Sequence, residues 1–137
     1  QHVLEPLSGY LVLAAKLANN ARLHSEAYNF GPMSDQNFPV SDLINEMSKY
    51  WDKVRWRDTS QKKSNMHEAG LLKLNCDKAN LELNWTSTME FEETLSMTVR
   101  WYQRFYENID GSMADFTISQ IVEFSELASK RKIDWAL

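Results

Sequence analysis

Phe91, Leu95, Val99, Tyr102, Tyr106 and Ile109 follow one another at steps of four, four, three, four and three residues. That spacing lays an apolar stripe along one side of about five helical turns. A stripe of this length has to be covered, so the rest of the chain is constrained to pack other elements against it. Ser87 and Glu90 have the spacing of a capping box, and Glu90, Glu92 and Glu93 suit the positive end of the helix, with Arg100 and Arg104 farther down. Asp110–Gly111 is expected to stop it, and ISQIVEFSELASKR offers a final helix through Ile118, Ile121, Val122, Ser125 and Ala128.

Upstream, SGYLVLAAKLANNA places Tyr10, Leu13, Ala14, Leu17 and Ala21 at helical intervals. A first helix is therefore expected from Ser8, its cap, to about Ala21, with Pro6 just outside. EAYNFGP reads as a buried strand that closes in a Gly-Pro turn. After Pro39, VSDLINEMSKYW aligns Val40, Leu43, Ile44 and Met47 on one helical face, with Tyr50 or Trp51 completing it. KVRWRD alternates Val54 and Trp56 against Arg55 and Arg57, the signature of a strand with one wet face. TSQKKSNMHEAG is expected to be loop, LLKLN a short extended run, and Cys76 to Leu83 a short helix followed by Trp85 as an apolar plug. The expected class is α/β, as a small helix-rich piece: each further parallel strand takes a crossover unit of about thirty residues, so the chain has room for one or two such units and a complete doubly wound sheet does not fit.

The 137 residues suffice for one modest domain. Their net charge of −4 argues against a general grip on nucleic acid. Arg55, Arg57, Lys62 and Lys63 form a local basic group that would suit one phosphate, although a solvated surface explains it as well. A single cysteine, Cys76, excludes an internal disulfide and a CxxC zinc site, which fits a cytoplasmic compartment. No apolar run is long enough to span a membrane as a helix.

Glycines stand at 9, 31, 70 and 111, so neither GxGxxG nor a P-loop exists to bring backbone amides against phosphates. His2, His24 and His67 have no metal-ligand spacing. Cys76 opens an expected helix, where a thiolate is favoured, yet a small buried hydrophobe is the plainer reading. The adjoining His67 and Glu68 lie in a polar stretch that suits ligand contact or an ordinary surface. Trp51, Trp56, Trp85, Trp101 and Trp135 are not interleaved with basic residues, so packing explains them better than base stacking.

Taken in order, QHVLEPLSGYLVLAAKL, AYNFGP, VSDLINEM, HEAGLLKLNCDKANLELNW and FEETLSMTVRWYQRFYEN resemble the C-terminal portion of extended short-chain dehydrogenase/reductase enzymes that act on nucleotide sugars. The opening phrase, His67-Glu68-Ala69 and the block from Asp77 to Trp85 are similar to the 4,6-dehydratase branch that uses CDP-glucose. The resemblance implies a substrate-binding portion of an extended Rossmann-type lyase, without its NAD-binding core. It assigns the whole of residues 1–137 to this region, with 1–35 completing an N-terminal lobe that lies outside the chain. It further implies NAD in the complete enzyme and no cofactor on this chain, CDP-glucose as substrate, and a complete enzyme able to pair as a homodimer.

His2, Glu5, Asn29, His67 and Glu68 are the substrate-contacting residues that the resemblance implies, with no catalytic or metal-binding residue among them. A polar contact between two lobes is the alternative for His2 and Glu5. The family's Tyr-x-x-x-Lys pair is absent, because Tyr10, Tyr28, Tyr50, Tyr102 and Tyr106 are followed four positions later by Ala14, Pro32, Val54, Tyr106 and Asp110. Asn75 and Asn84 depart from the family's usual Asp and Gly, and Asn84 is expected in a left-handed, helix-ending conformation. Another nucleotide-sugar epimerase or dehydratase, or a small non-catalytic interaction domain, are the competing readings.

Overall fold

The computed structural model describes residues 1–34, 36–57, 73–107 and 111–137. The expected loop from Thr59 to Gly70, with Leu71, Leu72, Ile109 and Asp110, lies outside them, as do Lys62 and Lys63. The described residues form five α-helices: α1 (Leu4–Leu17), α2 (Val40–Tyr50), α3 (Asp77–Leu83), α4 (Phe91–Tyr106) and α5 (Met113–Lys130). Short 3-10 turns cover Ala21–Leu23 and Asp134–Ala136.

No strand occurs among the described residues, which corrects the α/β expectation to a helical one. A strand is held by a neighbour's ladder, and the extended runs find other partners instead. In 26–32, Phe30 turns its ring into the core edge-on to Tyr10 and Trp85, and its carbonyl accepts from the Gln1 side chain at 3.1 Å. In the expected strand around Trp56, the Val54 amide donates to the Trp51 carbonyl at 3.0 Å, closing a turn. The Trp56 indole donates to Asn45 of α2 at 3.1 Å, so this segment folds back on its own helix.

Helix α1 begins at Leu4 rather than Ser8. Pro6 sits within its first turn, where the missing N–H costs nothing. Ser8 does not cap the helix; its hydroxyl donates to the Glu5 carbonyl at 2.7 Å and accepts from the Trp85 indole at 2.9 Å. The expected capping box at α4 is displaced by one turn: Glu90 is the N-cap, and its amide donates to the Glu93 carboxylate at 2.8 Å. Asn84 does end α3 with φ 50° and ψ 34°.

Two apolar clusters hold these helices. Leu23, Phe30, Ala79, Leu83 and Trp85 form one, with Val12, Leu13 and Leu17 of α1 against it. Met89, Met97 and Phe124 form the other between α4 and α5, and Trp135 packs on both. Leu95 and Val99 of the α4 stripe are buried, whereas Tyr102 and Tyr106 at its far end stay exposed, with Tyr106 stacked on Trp51 beyond α2. No helix among the described residues is long and apolar enough to cross a membrane.

Candidate functional site

Two non-helical stretches, 29–34 and 73–76, meet where Asn29 donates its side-chain amide to the Asn75 carbonyl at 3.2 Å. Gly31 makes the approach close: a Cβ there would lie 3.3 Å from both the Cys76 sulfur and Leu74. Between these stretches and the segment that joins α3 to α4 opens a cleft of about 490 Å³. Ser34, Lys73, Asn75, Asp77, Asn80 and Ser87 give it polar walls, and Trp85 lies at its base.

The Lys73 ammonium reaches the Ser34 carbonyl across the rim. Asn75 is held on both sides, its oxygen accepting from the Asp77 amide at 2.9 Å and its nitrogen donating to the Asp77 carboxylate at 3.0 Å. Cys76 is half-buried on the wall. Burial pushes its thiol pKa up, against the pull of the Gly31 amide and with help from the Asp77 charge, which disfavours the thiolate. Pro32 and Ser87 also line an adjoining recess of about 160 Å³, where Gln36, Phe38 and Glu5 are found.

Of the five residues singled out from sequence, His2, Glu5 and Asn29 are described, and they occupy separate places. Glu5 is only 1% exposed, and its carboxylate is occupied by the Thr88 amide at 2.9 and 3.0 Å and the Met89 amide at 2.7 Å. Burial raises its pKa, with those two amides pulling the other way. Asn29 supports the cleft from behind through Asn75. His2 belongs to a different hollow, of about 340 Å³, beside Trp101 and Gln120. There its Nδ1 accepts from the Leu4 amide at 3.3 Å, and burial holds its pKa below the ordinary histidine value. His67 and Glu68 lie outside the described residues. Arg55 donates from its Nε to the Asp52 carbonyl of its own turn at 3.4 Å.

Lys73, Asn80, Ser87 and Gln36 were not legible as site residues. Each is an ordinary polar residue in sequence, and packing brings Lys73, Asn80 and Ser87 to the cleft and Gln36 to the recess that adjoins it. Tyr28 borders this region, where its phenol donates to Glu82 at 2.5 Å, and that bond is the main cause of a pKa pushed up to about 12. Among the described residues no cluster of His, Cys, Asp and Glu is arranged to hold a metal ion.

No family model matches the chain. Over 111 residues, 80% of its length, it is 38% identical to the CDP-glucose 4,6-dehydratase of Salmonella typhimurium. The chain is related to a nucleotide-sugar dehydratase. It spans about 30% of that relative's length. Its all-helical described part is consistent with a substrate-binding portion that lacks a Rossmann sheet.

Proposed function

We propose that this chain is the nucleotide-sugar-binding part of a lyase that converts CDP-glucose to CDP-4-keto-6-deoxyglucose and water. The identity of 38% across 80% of the chain carries this reading. The polar cleft supports it, because a nucleotide sugar needs a positive charge for its diphosphate and amide, carboxylate and hydroxyl groups for base and sugar. Lys73 supplies the charge, Asp77 and Asn80 face the opening as acceptor and amide, and Ser87 offers a hydroxyl at its junction with the smaller recess.

NAD belongs to the complete enzyme in this reading, and the described residues do not fit it. Gly9 is buried inside α1, Gly31 packs against Leu74 and Cys76, and Gly111 stands alone ahead of α5. None forms the strand–glycine–helix turn that admits a pyrophosphate. Hydride transfer and water elimination are therefore not assigned to the described residues, and the part proposed for this chain is binding and orientation. The NAD-binding portion is its partner.

Thermal unfolding of the polypeptide as it is made in its source, with and without CDP-glucose, tests the reading, since a ligand that binds only the folded state raises Tm. CDP-glucose is expected to raise Tm more than UDP-glucose or dTDP-glucose, and Lys73→Ala to weaken the effect. A larger shift with another nucleotide sugar would transfer the chain to a different epimerase or dehydratase. No shift with any of them would leave a non-catalytic interaction domain.

A further inference from the structure

The segment 84–90 joins α3 to α4 without helix or strand, yet Thr88 and Met89 within it are each only 3% exposed. Buried backbone that lacks a ladder takes its partners from side chains. On one side stands Glu5 of α1, whose carboxylate accepts from the Thr88 and Met89 amides. On the other stands Arg131, whose Nη1 donates to the Thr88 carbonyl and, at 2.8 Å, to the Glu93 carboxylate of α4. That carboxylate also accepts from the Arg131 Nη2 at 3.0 Å and from the Glu90 amide at 2.8 Å. The peptide unit between Thr88 and Met89 is therefore gripped at both ends, its N–H by α1 and its C=O by the residue that ends α5.

Arg131 stands on a fixed stop. The Ile133 amide donates to the Ala128 carbonyl at 3.0 Å, and Lys132 takes the left-handed conformation at φ 56°, which closes the last turn of α5. Ser87, immediately before the gripped unit, lines both the cleft and the adjoining recess. A peptide unit is planar, so the direction of the Thr88 N–H and the orientation of the next plane together set where the Ser87 Cα lies. We propose that Arg131 is a positioning residue for the cleft, acting through the Thr88 carbonyl to hold the Ser87 hydroxyl toward a bound nucleotide sugar. The inference rests on the reading of that cleft as the nucleotide-sugar site. Without Arg131, Glu5 is the single anchor of the unit, and the plane is free to turn about it.

Isothermal titration of CDP-glucose into the polypeptide as its source makes it, and into variants of that polypeptide, tests this. Affinities are read well below the Tm of each variant, so that a loss of stability does not enter them. Ser87→Ala and Arg131→Met are each expected to weaken binding by about two- to tenfold, the worth of one hydrogen bond. The double variant is expected to bind no more weakly than Ser87→Ala, because both changes remove the same contact. Arg131→Lys, which keeps a donor for the Thr88 carbonyl, should recover most of the affinity. Wild-type affinity in Arg131→Met overturns the proposal, as do losses that multiply in the double variant or a Ser87→Ala change without effect. If Arg131→Met does not fold, Glu93→Gln carries the same test, since it keeps an acceptor for the Glu90 amide while loosening the guanidinium; it should weaken binding only where Ser87 is present. A wild type that binds no nucleotide sugar removes the reading of the cleft and this inference with it, whereas tight binding that ignores Arg131 removes this inference alone.

Discussion

Replacing Glu5 separates a structural carboxylate from a ligand-binding one. Its two oxygens receive three contacts from two backbone amides, those of Thr88 and Met89, in a site closed to solvent. A buried donor that loses its acceptor costs about 1–3 kcal/mol, so Glu5→Ala, which strands two, is expected to cost about 2–6 kcal/mol. That is a large share of the roughly 5–15 kcal/mol available to a domain. Glu5→Gln should cost far less. One oxygen already accepts from both amides, at 3.0 and 2.7 Å, and an amide carbonyl placed there keeps both donors satisfied. The second contact to Thr88 is lost and the Gln NH2 has to turn from that amide, a cost of about 1–2 kcal/mol.

Urea unfolding at neutral pH, with the slope checked for constancy, measures both variants. The pH dependence gives an independent reading. Burial raises the Glu5 pKa in the fold, so the folded state holds a proton over the interval between the unfolded and folded values. The proton-linked part of its stabilisation is thus present below the unfolded pKa and is lost as pH rises through the folded pKa, while the amide contacts remain. Glu5→Gln should flatten that part of the profile. A Glu5→Ala variant within about 0.5 kcal/mol of the wild type would refute the reasoning, since that is the scatter of neutral surface changes. Equal losses for Ala and Gln would refute it too.

Substitutions at three further positions test the packing, a helix end and an ion pair. Gly9→Ala would put a Cβ 2.3 Å from the Phe30 ring and is expected to cost about 1–3 kcal/mol through overpacking, seen as a lower Tm. Asn84→Val forces a β-branched residue into φ 50° and should lose about 1–2 kcal/mol in urea unfolding, whereas Asn84→Gly should lose none. For Glu93, burial pushes the carboxyl up, but the Arg131 guanidinium at 2.8 and 3.0 Å and the Glu90 amide outweigh it and leave the pKa lowered. That stabilisation is present above the unfolded carboxylate pKa and lost as pH falls through the folded one, so Arg131→Met should cost more near pH 7 than in acid. The pair is partly exposed, so the difference is expected to be about 1 kcal/mol or less.

Periodicity was enough for α2, α4 and α5, because each carries its apolar residues at helical spacing and needs only some surface to lie on. The left-handed Asn84 was legible for a local reason: a short amide side chain at a helix end tolerates positive φ. The absence of a phosphate-gripping glycine pattern was equally plain, and the order of phrases along the chain was enough to point to the nucleotide-sugar dehydratases. Helix α1 is the exception that shows the limit of pattern reading. Its apolar residues run nearly all round, so sequence alone does not say which side faces the core, and the side turned inward carries Glu5, Ser8 and Gly9.

What tertiary structure alone decided depends on partners far away in the chain. A run such as EAYNFGP has the short apolar, turn-bounded look of a strand, but a strand exists only where another edge completes its hydrogen bonds, and here Gln1 and the core around Trp85 take that place. The cleft exists because Asn29 meets Asn75 across 46 residues, and Glu5 is a structural acceptor because Thr88 and Met89 arrive from 83 and 84 residues away. Local sequence determines which segments coil into helices, since their hydrogen bonds close within four residues. Which polar groups end up buried, and which are left facing the cleft, is decided only when those helices pack.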